Sequence, residues 1–473
     1  MLFNSFVYIA SFLPATVLLC VFLRRAFGPL AAQLCILAAS LLFYAWGKPS
    51  NLIFLAASIL ANWAVANFMR RAPQHVRGYW LRLGIILNVA FLCSFKYFNF
   101  FLGVIPYFGS HHVLPNLAFP LGISFFTLAQ IMYLVDCSDE LVPALNLLDH
   151  ATFVSFFPYV ISGPIAKAKR MVGQFGNFGH PPGDYYELLS RGLYLFAMGA
   201  FKKTVFAFCF GAIADSGFNV TGRLSGIEAW TYSLAFTLQI YFDFSGYTDM
   251  ARGSAMMLGI EIPRNFDAPL RSKSIIEFWE RWHITLSNFI TSYMYTPILK
   301  SFSRITLRTA AVATILAMTI AGLWHGPNWT FIVFGALHGV ALAINQYWRK
   351  KKLPKLHWAL SWGLTLVFVD IAFIFFRSNT IPDAANFINA LFNYHQPLAL
   401  EHLAMTRRSF SMTTFGVPLL LGVIVAFYGR GSDQIARELK PGYRDALSVA
   451  GIFLVALIFM NSHISQSFIY FRF

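Results

Sequence analysis

Apolar runs about as long as a bilayer-crossing helix recur along the whole chain. They lie near residues 5–23, 29–47, 52–69, 82–103, 119–135, 190–214, 229–248, 309–323, 329–347, 357–376, 413–428 and 446–461, with shorter ones at 151–163 and 286–299. About 20 helical residues cross a hydrocarbon core of about 30 Å. Lipid offers the backbone no hydrogen-bond partner, so only helices and closed barrels can span it. The alternating pattern of barrel strands is absent from the sequence, which leaves helices. Composition agrees, with 57% hydrophobic and 12% charged residues, where a soluble domain carries about 25% charged. We expect an all-α integral membrane protein of roughly 11–13 membrane helices, forming a single domain over residues 1–473.

The net charge of +16 is no sign of a nucleic-acid partner, because the basic residues sit in short clusters beside apolar runs. Such clusters mark cytoplasmic flanks. Arg24-Arg25, Arg70-Arg71, Lys167 to Arg170, Arg264 to Lys273, Arg349 to Lys352 and Arg430 to Arg444 fall on one side by this rule, and both termini on the other. The first run has no basic segment before it and no small-residue cleavage site after it, so it reads as a retained span rather than a signal peptide. The runs 151–163 and 286–299 each lie between cytoplasmic flanks and contain breakers, which predicts two re-entrant elements and a funnel. The five cysteines (Cys20, Cys35, Cys93, Cys137, Cys209) have no metal-binding spacing and predict neither a metal site nor a disulfide framework. The outer stretches 104–118 and 378–412 are too short for a catalytic domain, so chemistry belongs to the membrane body or to a separate protein.

Ionisable residues beside membrane segments are functional candidates, since burying them in lipid is costly. His325 ends an apolar run and precedes Gly326-Pro327, a pair that breaks one helix before another starts near Trp329. A neutral imidazole there could deprotonate a hydroxyl, but an interfacial histidine bonded to a carbonyl would have the same sequence signature. His283 follows Arg271, Lys273, Glu277, Glu280 and Arg281, a tract expected to lie as an amphipathic helix in the interface, where a histidine needs no role. His338 is thirteen residues beyond His325, a turn of about 220° on one helix, so the two would not share a face and His338 is expected to pack or to support the site from behind. Asp243 and Asp249 close a span in Tyr241-Phe242-Asp243-Phe244-Ser245-Gly246-Tyr247-Thr248-Asp249. They could orient a histidine, bind a cation or cap a following helix at 250–260. The chain ends in an aromatic tail, residues 462–473, with Tyr470 in Phe468-Ile469-Tyr470-Phe471-Arg472-Phe473.

Several motifs, in order from residue 119 onward, together resemble the membrane-bound O-acyltransferase (MBOAT) superfamily, in the branch of alginate O-acetylation and teichoic acid D-alanylation membrane proteins. They are Phe119-Pro120-Leu121-Gly122-Ile123-Ser124-Phe125-Phe126, Phe157-Pro158 with Ser162-Gly163-Pro164, Asp243-Phe244-Ser245-Gly246-Tyr247, Asn265-Phe266 with Pro269, Phe278-Trp279 with Arg281-Trp282-His283, and Trp324-His325-Gly326. The resemblance implies catalytic roles for His325 and His283 and a funnel-shaped body with a tunnel; Trp324, Asn328, Trp282, Asp243 and Ser245 are candidates to line the substrate path. It further implies acetyl-CoA as cytoplasmic acyl donor and a periplasmic SGNH-type partner that acetylates an exopolysaccharide, in a bacterial inner membrane. The tail resembles that of the small accessory peptide of D-alanylation, which makes Tyr470 a candidate acyl relay. A D-alanyl, lipid or protein acyltransferase of the same superfamily remains open, as does a transporter; a transporter would predict an internal repeat, and none is evident.

Overall fold

The computed structural model describes residues 1–104, 120–181, 183–218, 224–394, 416–439 and 442–461. Among these, eight helices are long and apolar enough to cross a membrane, and three shorter apolar helices join them. Over the described residues the chain is a multi-pass, all-helical membrane protein. The stretches 105–119 and 395–415 and the tail with Tyr470 lie outside the described residues. The chain divides into two compact units, one of Met1–Ala197, Thr248–Arg264 and Ala436–Val449, the other of Met198–Tyr247, Asn265–Ile435 and Ala450–Phe473.

The first unit contains helices α1 (Tyr8–Phe27), α2 (Pro29–Ala45), α3 (Asn51–Arg71), α4 (Gln74–Lys96), α5 (Phe98–Val104), α6 (Ile123–Ser138), α7 (Leu147–Ser155) and α8 (Ala168–Val172). Helix α7 stops after nine residues at Phe156-Phe157-Pro158, and the irregular backbone up to Ala166 is buried. The sequence anticipated this break in the 151–163 run. Gly122, in a left-handed conformation with φ 75°, presses against the broken segment: a Cβ there would stand 2.6 Å from the Val160 carbonyl oxygen. Only glycine fits both constraints. The motif from Pro120 to Phe126 therefore meets the backbone of Val160-Ile161, which lies between Phe157-Pro158 and Ser162-Gly163-Pro164.

Helices α9 (Tyr185–Phe218) and α10 (Gly226–Met257) contribute to both units. Helix α10 runs unbroken for 32 residues, which corrects the expectation that Asp243 and Asp249 end a span and cap a helix at 250–260. Gly246 does not break it, because it serves close packing instead: a Cβ there would lie 2.7 Å from the Gly199 carbonyl oxygen on α9.

The second unit continues with α11 (Ile275–Arg281), α12 (284–300, with an inserted π-turn), α13 (Leu307–His325), α14 (Trp329–Lys350), α15 (Trp358–Arg377), α16 (Ile381–Leu391) and α17 (Val417–Tyr428), and α18 (Ser432–Glu438) is divided between the two units. Helix α19 (Tyr443–Asn461) closes the described chain. The outer stretch read as loop 378–412 thus begins with a helix, whose cap is a reciprocal pair between Thr380 and Asp383. Helices α13 and α14 form a hairpin whose backbones touch. A Cβ on Gly322 would lie 2.3 Å from the Phe331 carbonyl oxygen, and one on Gly335 would lie 2.3 Å from that of Met318. Small residues are how membrane helices come this close.

Candidate functional site

His325 is the last residue of α13, 7% exposed, and Gly326 and Pro327 follow it in extended and turn conformation. Asn328 restarts the chain as the cap of α14. Its side-chain oxygen accepts from the Thr330 N–H at 3.1 Å, while its amide donates to the Asn379 carbonyl at 2.6 Å. Asn328, a candidate for the substrate path, has its side chain engaged at both ends in holding the break. The His325 ring lies in an aromatic setting, 5.0 Å from the ring of Trp324, 5.2 Å from Phe376 and 6.1 Å from Phe334. The breakers seen in the sequence therefore place a buried imidazole at a helix end, beside backbone that the helix no longer satisfies.

His283 does not lie on an interfacial helix. Helix α11 is only seven residues long, and its Phe278 and Trp279 are buried. The Trp279 indole N–H donates to His338 Nδ1 at 3.2 Å, near the middle of α14, so the apolar side of α11 packs into the protein body while Arg271, Lys273 and Glu280 stay exposed. An indole nitrogen only donates, so a neutral His338 carries its proton on Nε2. The chain then turns through His283 with φ 43° before α12 begins, and the His283 ring is buried, 1% exposed. Burial pushes its pKa well below the ordinary histidine value, because desolvation penalises the imidazolium. His283 Nδ1 stands 3.1 Å from Asn265 Oδ1, and its ring lies 4.8 Å from that of Phe244.

An aromatic chain connects the two histidine regions. Phe373 is 5.3 Å from Trp282 and 6.2 Å from Phe376, which touches His325. Phe334 lies 6.1 Å from His325 and 4.7 Å from His338. The helix break makes the one-helix angle between His325 and His338 irrelevant, and His338 packs against Trp279 and Phe334. Trp282, Trp324 and both histidines thus belong to one packed, largely apolar neighbourhood.

Asp243 is paired with Lys203, and both side chains are almost wholly buried. Sequence reasoning passed over Lys203, although Lys202-Lys203 in the middle of an apolar run was the available signal. The two lysines begin a π-helical turn in α9, and Lys202 donates to Ser432 Oγ at 2.7 Å. Ser245, two residues beyond Asp243, is 1% exposed, and its hydroxyl has no hydrogen-bond partner among the described residues. Lys203→Ala is expected to cost about 3–5 kcal/mol by stripping a buried carboxylate of its ammonium. The double variant Lys203→Met with Asp243→Asn should recover most of that loss in a detergent melting experiment.

The family model described as MBOAT, membrane-bound O-acyltransferase family, matches residues 116–376, which include every candidate residue above except Tyr470. A peptidoglycan O-acetyltransferase from Helicobacter pylori is 33% identical, with 100% of this chain and 98% of that protein covered. A probable alginate O-acetylase AlgI from Pseudomonas aeruginosa is 34% identical over 91% of this chain and 81% of its own length. A teichoic acid D-alanyltransferase from Bacillus subtilis is 29% identical over 56% of this chain and 70% of its own length. With a matched model over more than half its length and relatives aligned nearly end to end, the chain belongs to the membrane-bound O-acyltransferase family and is a membrane-embedded O-acyltransferase.

Proposed function

We propose that this protein is an O-acetyltransferase of the bacterial inner membrane that carries acetyl from cytoplasmic acetyl-CoA to the outer face, for a periplasmic SGNH-type partner to place on a polysaccharide. The observation that carries the reading is the buried imidazole of His325 at the tip of the α13–α14 hairpin. The open end of that hairpin bears Arg304, Arg308 and Arg349 to Lys352. Basic clusters favour the cytoplasm, so the tip with His325 faces outward and both termini lie outside. The funnel and tunnel inferred from the family resemblance belong to the same reading. The relatives' names point to a cell-envelope glycan as final acceptor. The H. pylori relative, matched over almost its full length, adds peptidoglycan to the exopolysaccharides.

In this scheme Tyr470, on the outer tail, is the first acceptor. His325 takes the Tyr470 hydroxyl proton as the oxygen attacks the acetyl thioester. The C–S bond breaks, CoA leaves as thiolate and is protonated, and acetyl-tyrosine remains. The partner's serine then attacks that ester, and the phenol is restored. Incubating the purified chain with acetyl-labelled acetyl-CoA tests both parts. Label should stay on the wild type, and Tyr470→Phe, which removes one hydroxyl, should retain less than about a hundredth of it, the scale of losing one essential group. Label on Tyr470→Phe equal to wild type would move the acceptor elsewhere; CoA released by neither protein would sink the acetyl-CoA reading.

A further inference from the structure

The hydrogen bonds around Asn265 decide which proton His283 can carry. Asn265 Oδ1 accepts from the Thr285 backbone N–H at 3.0 Å and from the Thr285 hydroxyl at 2.9 Å. A backbone N–H only donates, so the atom facing it is the amide oxygen and not the amide nitrogen. His283 Nδ1 lies 3.1 Å from that same oxygen. An amide oxygen has no proton to give, so the proton of this contact is on Nδ1. A neutral ring with its proton on Nδ1 has a bare lone pair on Nε2.

The surroundings hold this arrangement in place. The Ile284 N–H donates to the Asn265 carbonyl at 3.0 Å, so the two segments are tied by backbone as well as side chain. The left-handed His283 backbone fixes where the ring leaves the chain. His283 Nε2 and Asn265 Nδ2 are both buried, and neither has a hydrogen-bond partner among the described residues. Orphaned buried polar atoms are rare in folded proteins and recur where a ligand completes them. His338, fixed by the Trp279 indole, has the opposite tautomer, so the two buried histidines are not interchangeable.

We infer that Asn265 is a positioning residue that locks His283 as a hydrogen-bond acceptor, whose Nε2 receives a hydroxyl or amide N–H of a substrate and cannot donate to a developing oxyanion. The inference rests on the acyltransferase reading for the identity of the reaction, though its first readout does not need turnover.

The full-length chain, labelled with ¹⁵N-histidine in lipid nanodiscs, gives that readout, and His283→Gln identifies the His283 ring signals by their loss. The wild type should show an N–H nitrogen at Nδ1 and a bare, pyridine-type nitrogen at Nε2. In Asn265→Leu the N–H signal should spread to Nε2, and acetyl transfer should fall by up to about 10⁴-fold, the scale of the loss when a catalytic histidine is held in the wrong tautomer. A protonated Nε2 in the wild type overturns the inference, and this spectrum decides the point even where Asn265→Leu does not fold. A changed ring spectrum with unchanged transfer overturns the acceptor role. Wild-type protein with the expected spectrum but no acetyl transfer would instead count against the proposed function.

Discussion

His325→Ala and His325→Gln should each lower acetyl transfer by about 10²- to 10⁴-fold, the usual contribution of a positioned general base. Glutamine fills much of the same volume but cannot take a proton at neutral pH, so the pair separates chemistry from packing. Ring contacts to Trp324, Phe334 and Phe376 mean that alanine leaves a void, and its melting temperature should fall. Glutamine should melt closer to the wild type while showing the same loss of transfer. Transfer retained by the glutamine variant would remove His325 from the reaction, whatever alanine does.

Gly335→Val should be the most damaging single change in the α13–α14 hairpin. A Cβ at this position meets the Met318 carbonyl oxygen at 2.3 Å and the Gly322 Cα at 2.9 Å. Both are backbone atoms, which cannot rotate away as a side chain could. Even Gly335→Ala should cost about 1–3 kcal/mol through overpacking, and valine more, enough to lower the yield of folded protein. Gly363 on α15 is the control, since a Cβ there meets nothing within 4 Å. Gly363→Ala should be neutral or stabilising by up to about 1 kcal/mol, the helix propensity gained. Melting temperatures of the three variants in detergent test this; equal behaviour of Gly335→Ala and Gly363→Ala would mean that the hairpin is looser than its geometry implies.

The parts of the fold written locally in the sequence could be read there. Span length, the break at Gly326-Pro327 and the failure of the 151–163 run to continue as helix all follow from residues within a few positions of the event. The misreadings share one cause, a partner remote in the chain. Asp243 looked like a helix-ending carboxylate because Lys203, 40 residues away, was not counted against its charge. His283 was placed on a surface helix because Phe278, Trp279 and Trp282 were read as the apolar side of an interfacial segment. Their real neighbours are Phe373 and His338. The resemblance to a family singled out both histidines, but the bond that His283 gives to Asn265 needed coordinates.

The shortness of the connection between α13 and α14 also bears on how the protein is made. Three residues, Gly326, Pro327 and Asn328, link helices of 19 and 22 residues, too few to leave slack on the far side of the bilayer while one helix waits for the other. The two helices are therefore tethered as a pair, and the glycine faces that bring their backbones together need close over only a three-residue turn. The place of His325 is thereby set by the hairpin itself, since the side chain rides on the short turn that its two helices share.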